Sequence, residues 1–190
     1  MNPNLRIEHP VQLGGLAALL AGLLLFISQL LRLYIGYVDP GAIQSILPID
    51  LWLGVILTVL LQLGLVGLYA PQARATGTLG VVSLFLTFVG TWLAMGDSFV
   101  APMAGQEAWP VGEPEEFFGT FAIFGLTFVL GWVLFGVATL RAGFYPRVAA
   151  ALLLAGTVIL LVPLPLSGLI FAGAVAWMGY ILFSRLVLND

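Results

Sequence analysis

Cysteine and lysine are both missing from this chain of 190 residues, and histidine occurs only once. Without cysteine there are no disulfides, iron–sulfur clusters, thiolate zinc sites or cysteine nucleophiles. Without lysine there is no lysine Schiff base. The one histidine, His9, precedes the first long apolar run, which excludes a haem held by two histidines inside a helical bundle. We therefore predict no metal site and no cofactor.

Charge is also scarce. Only 8% of the residues are charged, whereas 61% are hydrophobic. A soluble domain of this size carries roughly 25% charged residues, so this chain cannot cover a water-soluble globule with polar surface. We predict that residues 1–190 form a single transmembrane domain surrounded by membrane lipids. There is no basic patch suited to nucleic acid, and no nucleic-acid partner is expected.

Six apolar runs dominate the sequence and predict an all-α bundle of six transmembrane helices. Pro48 and Asp50 open the second run, Pro71 closes it, and Pro102 ends the third. Most connections are short, which favours antiparallel neighbours. The predicted spans are about residues 11–36, 50–70, 77–101, 117–141, 146–163 and 166–187.

The arginines predict the orientation of the bundle. Cytoplasmic flanks of membrane proteins carry an excess of Lys and Arg. With six spans and a cytoplasmic N-terminus, the inner flanks hold five of the six arginines and the outer side holds seven of the nine acids. We therefore expect both termini in the cytoplasm and a multi-pass protein of a cytoplasmic (inner) membrane, which the resemblance described below implies to be bacterial. The five inner arginines are Arg6, Arg74, Arg141, Arg147 and Arg185.

Small residues recur on one face of three spans, where they allow helix backbones to approach closely. We expect these faces to form the bundle core. The alternative is that one of them is an interface to a second copy or to another membrane protein. They comprise Gly14, Ala18 and Gly22 in the first span, Ser83, Thr87, Thr91 and Ala94 in the third, and Gly168, Ala172, Ala176 and Gly179 in the sixth.

Two charged residues lie within or close to the spans. Arg32 in the first span and Asp97 in the third are expected at a similar depth near the outer surface. Because a charge below the membrane interface is costly alone, we hypothesise that they form an ion pair. The alternative is that each side chain reaches the headgroups separately.

Neutral polar and aromatic residues in the spans also need an explanation. Gln29 and Gln62 require hydrogen-bond partners in lipid. Either they form interhelical hydrogen bonds, or they line a pocket open to the outer face together with Trp92, Asp97 and Ser98. Two deeper tryptophans, Trp132 and Trp177, are expected to fill the core.

Several glycine-containing segments resemble those of small six-span bacterial membrane proteins known from Chloroflexota and Actinobacteria. The resemblance is carried by GGLAALLAG in the first span and by two inner hinges, GLYAPQARATGTLG and LRAGFYPRVAAALLLAG. It covers nearly the whole chain. Because it rests on hinges and glycines, it implies the six-span fold and no site residues.

Three functions are compatible with these features. The first is a structural or accessory membrane protein, such as a subunit of a larger assembly, favoured because no strong catalytic or ion-relay group is evident. The second is a small-molecule or lipid binder or transporter with an outward-facing pocket near Arg32 and Asp97. The third is a lipid-modifying enzyme that uses Asp97 or Glu116 as acid or base, although no partnered base is evident. The sequence assigns no catalytic residue.

Overall fold

A computed structural model of the protein describes residues 5–39, 43–103, 114–161 and 167–187. Within these ranges some positions are described by their backbone only. These positions are residues 5–8, 36, 43–48, 50–51, 95–103, 114–122, 124, 167 and 186–187.

All regular structure in the described ranges is helical, which confirms the predicted all-α class. The 3-10 turn Ala70–Gln72 joins two of the helices. In chain order the α-helices are α1 Leu5–Tyr37, α2 Ile43–Tyr69, α3 Ala73–Met103, α4 Pro114–Ala142, α5 Arg147–Ile159 and α6 Ser167–Val187.

The helix bounds differ from the predicted spans mainly at the polar flanks. Helices α1 to α4 extend past the apolar runs, so that Pro48 lies inside α2 and Pro102 lies one residue before the end of α3. Hydropathy marks only the part of a helix that suits hydrocarbon, whereas the helix itself can continue into the polar flank. Pro146 is the N-cap of α5 rather than its first residue.

Among the residues that the structure describes, four stretches are long and apolar enough to cross a membrane, and they indicate a membrane protein. They are His9–Ile35, Trp52–Ala94, Gly125–Ala142 and Gly168–Arg185. Helix α5 is apolar but shorter, with 13 residues. The second stretch, with 43 residues, covers the second part of α2 and the first part of α3.

Helices α2 and α3 run antiparallel and fold back on each other at the turn before Gly77. The start of α3 is kinked at this glycine, whose φ of 54° and ψ of −141° are not helical. The side-chain amide of Gln62 donates a hydrogen bond of 3.0 Å to the carbonyl of Phe88. Closer to the turn, a Cβ added to Gly80 would lie 2.9 Å from the ring of Tyr69. The 43-residue apolar stretch is therefore a helical hairpin.

Helix α1 packs between α2 and α6 along the small residues of its first half. Against α2, Gly14 meets Gly67, and a Cβ on Gly64 would lie 2.7 Å from the Cα of Ala18. Because a higher residue number in α1 faces a lower residue number in α2, the two helices are antiparallel. Close backbone contact of this kind requires the absence of a side chain.

The small faces of α1 and α6 meet each other inside the chain. A Cβ added to Gly22 would lie 2.7 Å from the carbonyl oxygen of Ala172, and one added to Gly179 would lie 2.8 Å from that of Gly15. The face of α3 packs against α4 in the same way, with Thr87 against Gly131. All three small-residue faces are thus occupied by neighbouring helices of the same chain.

The centre of the bundle holds aromatic side chains from α4 and α6. The Trp132 ring is fully buried and lies edge-on to Phe171, with ring centroids 4.9 Å apart, and to Phe135 at 5.8 Å. Trp132 therefore fills the core as predicted. The same prediction is wrong for Trp177, which is 39% exposed because it lies on the outer face of α6.

One end of the bundle collects the α2–α3 turn, the α4–α5 turn and the C-terminal end of α6. We call it the arginine end and define it by Arg74, Arg141, Arg147 and Arg185, all of which are exposed. Gly143 closes α4 there with φ of 66°, and its N–H donates to the Thr139 carbonyl at 3.2 Å. This left-handed position is typical of a glycine that ends a helix.

Candidate functional site

Three buried polar side chains connect the α2–α3 turn to the α4–α5 turn at the arginine end. They are Gln72, Thr139 and Tyr145. Pro71 has no N–H, and the chain tightens into the 3-10 turn at the end of α2. The Leu68 carbonyl in the last turn of α2 accepts hydrogen bonds from the Gln72 side-chain amide at 3.2 Å and from the Tyr145 hydroxyl at 3.1 Å. The same amide donates to the Thr139 hydroxyl of α4 at 3.0 Å. Residues about 70 positions apart in sequence thus form one network.

Arg185 attaches the end of α6 to the same region. Its Nη1 donates a hydrogen bond of 3.0 Å to the Phe144 carbonyl, and its guanidinium lies 5.1 Å from the centroid of the Phe144 ring. This combination of a cation–π contact and a hydrogen bond holds the guanidinium beside the α4–α5 turn. Burial raises the pKa of the Tyr145 hydroxyl, and the nearby charge of Arg185 opposes that rise.

A second set of buried polar contacts lies deeper in the bundle. Gln62 is bonded to the α3 backbone, so the structure shows the interhelical bond that was one of the two alternatives for this residue. On α4, the Trp132 indole N–H donates to the Thr91 hydroxyl of α3 at 3.3 Å. Among the described residues, no donor reaches the side-chain oxygens of Gln62, Gln72 or Thr87. These contacts bind α2, α3 and α4 to one another.

The residues predicted to line an outer pocket are spread over three helices. Gln29 is half-buried on α1 and packs against Gly168, where a Cβ would lie 2.5 Å from its amide. Trp92, on α3, is 50% exposed, and Arg32 is exposed on α1. Close by on α2, an open apolar depression of about 310 Å³ is lined by Ile49, Trp52, Leu53 and Ile56.

The helix register places Arg32 and Asp97 at a similar depth. Arg32 lies fourteen residues beyond Ala18, which faces Gly64, and Asp97 lies nine residues beyond Phe88, which Gln62 contacts. Both positions therefore fall opposite the same part of α2, near residues 50 and 53, less than one helical turn apart. The side chain of Asp97 is outside the described part of the structure, so the ion pair stays a prediction.

Two further predicted site residues, Ser98 and Glu116, lie in α3 and in the first turn of α4. Their side chains are also outside the described part. Their proposed roles, in a pocket for Ser98 and in acid–base chemistry for Glu116, stay predictions. Within the residues that are described, no group of three His, Asp or Glu side chains is placed to hold a metal ion.

Sequence reasoning missed Gln72, Thr139 and Tyr145, the polar residues that join the two turns of the arginine end. One signal was present in the sequence. The two hinges singled out for their resemblance, GLYAPQARATGTLG and LRAGFYPRVAAALLLAG, contain Gln72 and Tyr145. The structure shows that these two hinges are in direct contact.

Comparison with known proteins adds no family to this description. The chain matches no family model, no curated protein and no solved structure. The geometry of the chain itself therefore carries the functional argument.

Proposed function

We propose that this protein is a structural or accessory component of the bacterial cytoplasmic membrane and works as a subunit of a larger membrane assembly. In this proposal the chain crosses the membrane six times and the arginine end faces the cytoplasm. The four long apolar stretches support membrane insertion. The α2–α3 hairpin supports two crossings in the stretch from Trp52 to Ala94, because 43 residues at the helical rise would measure about 65 Å, twice the ~30 Å of hydrocarbon.

The accessory role is supported by the buried polar side chains, which form hydrogen bonds within the chain. Gln62, Gln72 and Tyr145 each bond to a backbone carbonyl, and Gln72 and Trp132 also bond to threonine hydroxyls. Such bonds fix helix against helix and hold the polar groups away from a substrate. Because these donors are engaged within the chain itself, we infer that the protein contributes to function through its outer surface.

The protein mass of the solubilised complex tests this role. The chain is extracted with mild detergent from membranes of its source organism and, as a control, from a heterologous bacterium. Size-exclusion chromatography with light scattering then gives the protein mass of each complex. We expect the single-chain mass of 20.2 kDa in the heterologous host and a larger complex with one second protein at fixed stoichiometry in the native host. A 20.2 kDa species in both hosts would contradict the proposal.

A second candidate function is an outward-facing site for a small molecule or lipid near Arg32 and Asp97. It is favoured by the register that brings these two residues to one depth on helices that both pack against α2. An experimental structure in lipid nanodiscs tests it. Ordered non-protein density in contact with both residues would support this function, whereas a direct ion pair enclosed by protein would count against it.

A further inference from the structure

We propose that the bundle consists of two units that move against each other and open a cleft between α2 and α3 at the end opposite the arginine end. Helices α3 and α4 form one unit, the α3–α4 pair. Helices α1, α2, α5 and α6 form the other, which we call the four-helix unit. The proposal goes beyond the proposed function and does not depend on it, because it concerns motion within one chain.

Backbone contacts divide the helices into these two units. In the four-helix unit, a Cβ on Gly64 of α2 would lie 2.7 Å from a backbone atom of α1, and one on Gly156 of α5 would lie 2.6 Å from the backbone nitrogen of Phe171 in α6. Helix α1 meets α6 in the same way. In the α3–α4 pair, a Cβ on Gly90 would lie 2.6 Å from the Cα of Phe128. Direct backbone contact leaves no side chain to repack, so the helices of each unit move together.

Contacts between the two units use side chains instead. A Cβ on Gly80 of α3 would lie 2.9 Å from the ring of Tyr69, and one on Gly136 of α4 would lie 2.7 Å from the side chain of Leu154. Near the centre of the bundle, aromatic rings of α4 meet a ring of α6. Among the consecutive helices of the described chain, α2 and α3, and likewise α4 and α5, approach each other least. Side chains can change rotamer, so this boundary allows one unit to move relative to the other.

The chain connections place the hinge of this motion at the arginine end. Both connections between the units, the α2–α3 turn and the α4–α5 turn, lie there, and the hydrogen bonds of Gln72 and Tyr145 join them. Each connection contains a glycine with positive φ, Gly77 at 54° and Gly143 at 66°. At the opposite end, the α3–α4 pair has no covalent connection to the four-helix unit. A swing of the pair is therefore largest at that end.

Polar groups between α2 and α3 favour opening. Gln62 donates the hydrogen bond of 3.0 Å to the Phe88 carbonyl. The side-chain oxygen of Gln62 and the hydroxyl of Thr87 are buried and have no hydrogen-bond partner among the described residues. Such atoms cost free energy in the closed bundle, and water that enters the cleft would satisfy them. The predicted Arg32–Asp97 ion pair would join α1 to α3 at the open end and would favour the closed form.

Double electron–electron resonance between spin labels on introduced cysteines tests the motion in lipid nanodiscs. The labels replace exposed or partly exposed side chains in a chain without cysteine. The pair Tyr34→Cys and Ile123→Cys reports the distance between the units far from the hinge, and Leu13→Cys with Leu140→Cys reports it near the hinge. Tyr34→Cys with Val158→Cys lies within the four-helix unit. We expect a second population at longer distance for the first pair and a single narrow distribution for the other two.

The reactivity of a buried thiol gives a second, independent measurement. Thr87→Cys changes the size of a fully buried side chain very little, and a water-soluble thiol reagent reaches it only when the cleft opens. Ala172→Cys is the matched control, because Ala172 is equally buried but lies where α1 meets α6 inside the four-helix unit. We expect Thr87→Cys to react and Ala172→Cys to stay unreactive. Circular dichroism and elution volume verify that each variant is folded.

Three results would overturn the proposal. A single narrow distribution for Tyr34→Cys with Ile123→Cys would show that the bundle is one rigid body. Equal broadening of the pair near the arginine end would show general softness without a hinge. A Thr87→Cys as unreactive as Ala172→Cys would show that no cleft opens. None of these results would change the mass of the native complex, so the proposed function is tested separately.

Discussion

Individual polar residues decide how the arginine end is held together. Gln72 is 1% exposed and uses both of its amide hydrogens, one within its own turn and one across to Thr139. Tyr145 adds a second donor to the Leu68 carbonyl. Hydrogen bonds between membrane helices contribute on average about 0.6 kcal/mol each, so a network of three is worth a measurable part of the stability.

Gln72→Met should weaken this network without creating a large cavity. It removes both bonds donated by the amide together with the buried oxygen that no described donor reaches. We expect the free energy of unfolding to fall by about 1 kcal/mol in a denaturant titration of the purified protein. Gln12→Met, on the partly exposed start of α1, is the control and should change it by less than about 0.5 kcal/mol. An equal effect of both variants would show that the network adds no stability.

Tyr145 should make the stability depend on alkaline pH. Burial raises the pKa of its hydroxyl in the folded protein, while the unfolded chain has the ordinary value near 10. Its contribution is therefore complete below pH ~10 and is lost progressively above it, as the unfolded state releases the proton first. Between pH 9 and pH 11 the wild type should lose about 1 kcal/mol more unfolding free energy than Tyr145→Phe. If the unfolding free energies of the wild type and Tyr145→Phe change with pH in the same way, the burial of the Tyr145 hydroxyl would be contradicted.

The sequence indicates the polar residues near the membrane midplane but not the network at the arginine end. Gln62 stands out because it lies in the middle of an apolar run, where an amide needs a partner. Gln72 and Tyr145 lie in turns, where polar residues are expected, and only the folded chain brings them together. The pairing depends on the meeting of the α2–α3 turn with the end of α4 and the α4–α5 turn, which no local pattern specifies.

At the scale of helices, glycine positions determine which faces can meet. Two of the three glycines of helix α6 lie in different settings. A Cβ on Gly179 would meet the backbone of α1, whereas one on Gly173 would have no atom within 4 Å. The small-residue pattern correctly indicated tightly packed faces on α1, α3 and α6. It could not indicate that the first and last of these faces pack against each other, because that contact depends on the closure of the bundle.

Gly173 and Gly179 of α6 provide a matched test of helix contact. Gly179→Ala should lower the unfolding free energy by about 1–3 kcal/mol, since the added methyl group forces α6 away from α1. Gly173→Ala should leave it unchanged or raise it by up to about 1 kcal/mol, because alanine favours the helix and the position is open. Thermal unfolding in detergent compares the two variants. A larger loss for Gly173→Ala would contradict the packing of α1 on α6.

The whole molecule is a set of helices that alternate in direction and close into one bundle, with α1 beside both α2 and α6. Hydropathy predicted the six helical segments of the described chain, although α1 to α4 extend past the predicted spans and α5 ends at Ile159, before the predicted end at residue 163. The alternation explains why four of the six arginines lie at one end and Arg32 and Asp39 lie towards the other. Our central proposal concerns the orientation of this bundle in a membrane. The chain crosses the membrane six times, and the arginine end lies in the cytoplasm.

Single-cysteine labelling tests this claim most directly, because the cysteine-free wild type gives no background. Val38→Cys marks the end of α1, Ala75→Cys the α2–α3 turn, and Pro146→Cys the α4–α5 turn. We expect a membrane-impermeant maleimide to label Val38→Cys in intact cells, and to label Ala75→Cys and Pro146→Cys only after permeabilisation. Labelling of Val38→Cys and Ala75→Cys from the same side, or an Ala75→Cys that reacts from neither side, would contradict the proposed arrangement.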